Sequence, residues 1–274
     1  PQYREDLLLN KDGQNAMWNR CFWQGYPIGS AMKPAVALAA LQEGVIDTST
    51  QFRCGYTYYN ADMPDFHPLC MGTHGYLNVI EALTVSCNIF FYDTGYNLGI
   101  DNMNLYQRKL GLGELTGVEI YESDGTLAGP DEKEDWYGGD TIMAAIGQSD
   151  NLITPVQLAT YAATIANNGT RLRTHVVDKI TDYSRQTVLE ETKPEVVEEN
   201  IFDQEVLETV KGAMRNVVTS PSGTGYYSYG SYEIPIAAKT GTAQTYLPNS
   251  NEYDVDNITL IAYAPYDDPQ IGIS

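Results

Sequence analysis

Ser30 and Lys33 stand three residues apart at the start of the run Gly29-Ser30-Ala31-Met32-Lys33-Pro34-Ala35-Val36. On a helix that spacing puts both on one face, so the lysine amine can fold back over the serine hydroxyl. The unpaired N–H groups of a first helical turn and the helix dipole favour an alkoxide at the same place. This is the minimum apparatus for an activated serine. By itself a Ser-x-x-Lys pair is more often a solvated helix face, so the rest of the chain must supply the remaining parts. Two short motifs follow in order, Ser86-Cys87-Asn88 and Lys239-Thr240-Gly241-Thr242. Amide cleavage needs a nucleophile, a proton acceptor, a donor to the leaving amine and an oxyanion site. Ser30 is the natural nucleophile. Lys33 can be its base if burial and a second cation lower its pKa, and Lys239 is suited to be that cation.

A second cluster has metal-ligand character. Three of the 4 cysteines and two of the 3 histidines fall between Cys54 and Cys87. Cys54, Cys70, His74 and Cys87 form a Cys3His set, with Asp65 and His67 in reserve. Thiolates and imidazole suit a closed, structural zinc site. A Cys54–Cys70 disulfide and buried free thiols are the alternatives. Cys87 lies between Ser86 and Asn88, and on a helix it points away from them. A metal there would tie the surrounding insertion to the back of the serine site. Cys21, outside the cluster, reads as a core thiol.

The elements that must position these residues follow from periodicity and punctuation. Residues 1–28 show no sustained period and read as an ordered approach loop. Residues 30–43 are apolar nearly all round and stop at Gly44, which predicts a central buried helix. Residues 47–76 read as an irregular insertion, followed by one helix from Leu77 to about Tyr92 and a short one at 101–110. A Gly-punctuated loop extends to Asp140. Thr154 as N-cap with Pro155 at the first position opens a helix that ends at Asn168-Gly169. Segments 172–181 and 187–191 form a hairpin turning at Asp182-Tyr183-Ser184, and 203–218 is a helix by its apolar spacing. Strands at 234–238, 258–264 and from Ile271 close the chain, the first two linked through Lys239-Thr240-Gly241-Thr242. Helices in the middle and strands late give an α+β plan.

Bulk properties narrow the partners. A chain of 274 residues with 43% hydrophobic and 19% charged residues is globular rather than disordered. Its 36 acidic against 16 basic residues, net charge -20, exclude nucleic acid as a partner and offer no basic stripe to an anionic membrane. No apolar run reaches spanning length, and the first residues carry no cleavable leader.

The ordered set of three motifs resembles the active-site serine penicillin-recognising enzymes. Further likeness runs through Asn19-Arg20, His74-Gly75, Gly139-Asp140-Thr141, Ile146-Gly147-Gln148, Thr154-Pro155-Val156-Gln157-Leu158-Ala159 and Ala166-Asn167-Asn168-Gly169. Together these are similar to the transpeptidase domain of class B penicillin-binding proteins, in the elongation-type, penicillin-binding protein 2-like branch, over essentially the whole chain. The resemblance implies an antiparallel sheet flanked by helices, with a mainly helical subdomain at about 45–165. It implies a peptidoglycan D,D-transpeptidase that cross-links stem peptides through an acyl-enzyme at Ser30 and is acylated by β-lactams. It also implies that Lys239, Thr240 and Thr242 attract the substrate carboxylate and that Ser86 relays a proton to the leaving amine. Asn88 would hold Lys33 and the acyl-chain amide. Backbone N–H groups of Ser30 and Thr242 would form the oxyanion hole, with Gly241 letting an edge strand approach the substrate.

No cofactor is required for the serine chemistry, and some members of the branch carry zinc near this triplet. A β-lactam sensor domain and a D,D-carboxypeptidase are alternatives on the same fold; no Glu-x-x-Leu-Asn motif suggests fast β-lactam hydrolysis. The family pattern further implies a longer protein, truncated here at both ends. Its membrane anchor would lie outside this chain, its enzyme domain would be extracytoplasmic at the bacterial cell membrane, and its partner would be a peptidoglycan glycosyltransferase. Several positions depart from the usual pattern: Pro27-Ile28-Gly29 before the serine, Met32 before Lys33, Ser149 after Gly147-Gln148, and Ala238 before Lys239.

Overall fold

The computed structural model describes residues 2–10, 15–246 and 253–274. The helices in chain order are α1 (Gln2–Leu8), α2 (Arg20–Trp23), α3 (Lys33–Gln42), α4 (Val79–Thr84), α5 (Asn88–Leu98), α6 (Ile100–Lys109), α7 (Gly138–Ala144), α8 (Pro155–Ala166), α9 (Gln204–Thr219) and α10 (Tyr226–Tyr229). A 3-10 turn, Gly29–Met32, leads directly into α3. The strands are β1 (Phe52–Cys54), β2 (Gly75–Leu77), β3 (Arg171–Leu172), β4 (Lys179–Thr181), β5 (Val188–Glu191), β6 (Val196–Glu198), β7 (Ala237–Tyr246), β8 (Tyr253–Ala264) and β9 (Ile271–Ile273). Among the described residues the antiparallel sheet β7-β8-β9 is the principal one, and three two-stranded pairs, β1-β2, β3-β6 and β4-β5, accompany it. The architecture is α+β.

α3 is the axis of the core. Every residue from Lys33 to Ala40 is buried, and α5, α6 and α9 pack around it. Its run of alanines has high helix propensity and lets those helices approach closely, while Pro34 suits the first turn because no intrahelical bond is lost there. Gly44, at φ +65, supplies the left-handed stop. α8 and α9 pack against the β7-β8-β9 sheet. Thr154 caps α8 and Gln157 returns the bond in a capping box; the Gln157 amide also donates to the carbonyls of Glu114 and Asp124 at 2.7 and 2.6 Å, pinning the preceding loop.

Several expectations are corrected. The single helix over 77–92 is two: α4 opens on an Asn78 capping box, and the chain breaks at Ser86, whose φ is +57. A left-handed non-glycine residue cannot continue a helix. Residues 1–28 are not all loop, since α1 and α2 lie within them, and the 47–76 insertion is clasped by β1 and β2. Lys239-Thr240-Gly241-Thr242 is not a link between strands but the middle of β7, paired with Ile261 to Ile258 of β8. Cys21 is exposed rather than a core thiol. The hairpin over 172–191 is present as β4-β5, with a β3-β6 pair outside it.

Candidate active site

The break between α4 and α5 brings three chain segments together. Lys33 projects from the first turn of α3 and donates to the Ser86 carbonyl at 2.8 Å, to Asn88 Oδ1 at 2.7 Å and to Ser86 Oγ at 3.2 Å. From β7, Lys239 Nζ donates to the same Ser86 hydroxyl at 2.9 Å and to the Thr240 carbonyl at 2.8 Å. Ser86 Oγ therefore sits between two amines that are 206 residues apart in sequence, 239 minus 33. Both lysines are fully buried. Burial pushes Lys33 down to about 7, and nearby Cys70 and Cys87 oppose that shift. Burial also holds Lys239 well below its usual value, with the Lys33 charge adding to the effect. For Lys33, loss of hydration rather than a second cation is the principal cause, because a buried ammonium has no water to replace.

Ser30 lies in the 3-10 turn at the base of α3, and its carbonyl accepts from the Lys33 backbone N–H. The turn is pressed on the sheet backbone to backbone. A side chain on Gly29 (φ +53) would strike the Thr242 carbonyl, and one on Gly241 would strike the Ile28 carbonyl and the Thr259 hydroxyl. Gly147 (φ +73) closes the turn from the other side: its carbonyl accepts from Gly29 N–H at 3.0 Å, and a Cβ on it would meet the Gly29 backbone. Thr242 N–H is thus carried on backbone that touches the nucleophile turn, and only glycine permits this approach. Ser149, which stands where the resemblance expects glycine, adopts φ +61. Met32 is completely buried beside Lys33, filling the space of the usual aromatic residue as a flexible apolar side chain can.

Behind the triplet, Cys54, Cys70, His74 and Cys87 converge, with their ligand atoms all within 4.8 Å of one another. Cys54 Sγ and Cys70 Sγ lie 3.4 and 3.5 Å from His74 Nδ1, and Cys70 and Cys87 sulfurs are 3.9 Å apart. Ligands on a tetrahedral zinc would be spaced about 3.8 Å for sulfur pairs and about 3.5 Å for sulfur and nitrogen. The donor set and its spacing therefore fit that ion. All four cysteines are unbridged thiols, so the Cys54–Cys70 disulfide is not formed. His67 lies outside the group, its Nδ1 against the Tyr58 carbonyl. The hydrogen bond shared with Cys87, with backbone N–H groups including that of Asn88, pulls the Cys70 thiol down. The Asn88 N–H to Cys70 Sγ contact is 3.2 Å. Asn88 also donates through Nδ2 to the Leu69 carbonyl.

A profile of the family described as "Penicillin binding protein transpeptidase domain" matches residues 2–274. The chain belongs to that family. Within this transpeptidase family its likeness is to class B proteins of the penicillin-binding protein 2 type. It is 32% identical over 97% of its length to the peptidoglycan D,D-transpeptidase MrdA of Haemophilus influenzae, of which it spans 43%. The solved structure of Pseudomonas aeruginosa PBP2 in complex with WCK 5153 superposes with a TM-score of 0.82 at 27% identity, covering 94% of this chain and 57% of that one. A structure described as the coordination of polymerization and crosslinking by a peptidoglycan synthase complex superposes with a TM-score of 0.83 at 28% identity, over 98% of this chain and 45% of that one. The chain thus spans less than half the length of the Haemophilus influenzae relative.

Two groups in the site were not among the candidate residues of the sequence. Gly147 is signalled only as part of the Gly-Gln motif, and Leu69, whose carbonyl accepts from Asn88 and Tyr92, carries no sequence signal, because a backbone acceptor can belong to any residue type.

Proposed function

We propose that this transpeptidase domain cross-links peptidoglycan stem peptides through an acyl-enzyme on Ser30. The observation that carries the reading is Ser86 Oγ held between Lys33 and Lys239 beside the Ser30 turn. Ser30 Oγ attacks the penultimate D-Ala carbonyl, and its proton passes to the neutral Lys33 amine. The developing oxyanion is met by the backbone N–H groups of Ser30 and Thr242. Ser86 relays the proton to the departing D-Ala amine, and Asn88 keeps Lys33 in place. Lys239, Thr240 and Thr242 draw in the substrate carboxylate, and Gly241 lets the Ser30 turn close on β7, whose edge admits the peptide. An acceptor amine then takes the acyl group and regenerates Ser30. A β-lactam, whose strained amide replaces the D-Ala-D-Ala bond, is opened by the same serine.

We assign Cys54, Cys70, His74 and Cys87 to a structural zinc, whose only contribution would be to fix the ligand segments. The segment at about 45–165 is taken as a mainly helical subdomain. An extracytoplasmic setting beside the bacterial membrane and a glycosyltransferase partner complete the reading, the partner supported by the likeness to a peptidoglycan synthase complex that coordinates polymerization and crosslinking. Among the described residues no helix is long and apolar enough to cross a membrane.

The test is mass spectrometry after penicillin treatment. A stoichiometric adduct at Ser30, absent in Ser30→Ala, is expected; an unmodified native protein would overturn the proposal. Incubation with a D-Ala-D-Ala donor and an acceptor amine should then yield cross-linked product. Hydrolysed donor alone would point to the carboxypeptidase reading, and a stable adduct with no peptide turnover to the sensor reading.

A further inference from the structure

Thr224 belongs to none of the three motifs, yet it bridges two walls of the site. Its Oγ1 lies 2.7 Å from Thr240 Oγ1, and its backbone N–H donates to the Thr84 carbonyl at 3.3 Å, two residues before Ser86. Thr224 itself is exposed, whereas Gly223 and Gly225 on either side are buried. Gly225 N–H donates to the Val217 carbonyl at 3.0 Å and Gly223 N–H to Ser220 at 2.8 Å. A side chain on Gly223 would strike the Val217 carbonyl. The turn that carries Thr224 is therefore held by main-chain contacts at the end of α9, and its hydroxyl meets that of Thr240 from a fixed backbone.

We infer that Thr224 is a positioning residue that orients the Thr240 hydroxyl for the carboxylate of the incoming donor. This rests on the acyl-enzyme reading above. Two hydroxyls at hydrogen-bond distance share one proton along the line between them. If Thr240 supplied it, Thr240 would have no hydrogen left for an anion. A bound carboxylate, which only accepts, selects the other arrangement: Thr224 donates to Thr240, and Thr240 donates to the carboxylate. The two bonds polarise each other in the same direction, so the second is strengthened by the first. Lys239, aimed at the Thr240 carbonyl and at Ser86, leaves the hydroxyl orientation to this partner. The consequence is specificity: Thr224 favours ligands with a free carboxylate next to the scissile amide over those in which it is esterified.

The experiment compares the second-order acylation rate at Ser30 by a penicillin and by its methyl ester, in unsubstituted protein, Thr224→Val, Thr224→Ser, Thr240→Val and Thr224→Val/Thr240→Val. Thr224→Val should lose roughly tenfold with the free acid, the scale of a hydrogen bond directed at a charged group, and less than about twofold with the ester. Thr224→Ser should recover most of the loss. Adding Thr224→Val to Thr240→Val should cost little more, since the path to the carboxylate is already cut. Equal losses for acid and ester, or no loss at all in Thr224→Val while the unsubstituted protein is acylated, would overturn the inference alone. Failure of the unsubstituted protein to be acylated would remove the acyl-enzyme reading and this inference with it.

Discussion

Lys33 and Lys239 are two buried amines joined through a single hydroxyl, that of Ser86. A lysine held near 7 by burial is largely unprotonated in mildly alkaline solution and can take the Ser30 proton. The acylation rate should therefore climb as pH rises through about 7 and level off above it; a profile rising only near 10 would show that Lys33 keeps an ordinary pKa. The groups facing Lys33 are Ser86, Asn88 and Phe91, with Cys70 and Cys87 nearby, which oppose the effect of burial and raise it. Ser149 permits a second prediction at this scale. It holds a left-handed backbone at φ +61 that costs a side-chain-bearing residue about 1–2 kcal/mol, part of which glycine gives back through its freer unfolded chain. Ser149→Gly should stabilise the fold by up to about 1 kcal/mol in urea unfolding, with Ser30 acylation intact; destabilisation would mean that the serine side chain is needed there.

At the scale of elements, the site depends on how closely the 3-10 turn before α3 lies on β7. Gly241→Ala must push these two apart, because the methyl would meet the Ile28 carbonyl and the Ala31 nitrogen. A displacement of about 1 Å at a reacting group costs on the order of a hundredfold in rate. Acylation of Gly241→Ala should fall by that order while its circular dichroism stays that of the parent; near-parental acylation would mean that the turn can yield. The residue types at both ends of this contact were legible in the sequence, as Gly29-Ser30 and Lys239-Thr240-Gly241, and so were the buried α3 and the capped α8, whose signals are local. The break at Ser86 was not. Nothing in Leu77 to Tyr92 is a helix breaker by composition, and Ser86 takes its left-handed conformation because its carbonyl and hydroxyl are drawn to Lys33 and Lys239. That is a tertiary override, outside the reach of propensity. The placement of Lys239 inside β7 was obscured in the same way, since the charged and small residues of its motif look like a turn until the buried face of the strand is known.

Across the whole molecule, the Cys54, Cys70, His74 and Cys87 cluster fastens the 47–76 insertion to the triplet. If it holds zinc, purified protein should carry about one equivalent, and stripping it with a chelator should lower the thermal midpoint by about 5 °C or more, because the ion's binding energy is then lost to the folded state. Protein isolated gently without stoichiometric zinc would remove the assignment. The buried ionisable groups give a second global signature. Lys33, lowered to about 7, and Lys239, held well below its usual value, bind protons less readily folded than unfolded, so as pH rises towards their ordinary 10.5 the unfolded chain holds more protons and stability rises with pH. Buried Tyr161 and Tyr263 are raised above their ordinary 10.0, so beyond that pH the unfolded chain ionises first and stability falls. Urea unfolding should thus place the maximum on the alkaline side of neutral, short of about pH 10; a maximum at or below pH 7 would contradict the lysine shifts. Gly29, Gly147 and Gly241 come from three distant stretches, and a side chain on any of them would meet main-chain atoms. A clash with a side chain can be relieved by shortening the neighbour, but a carbonyl has no shorter form. A search for second-site suppressors of alanine at these positions should come back empty, which makes them the points where this active site has no genetic repair.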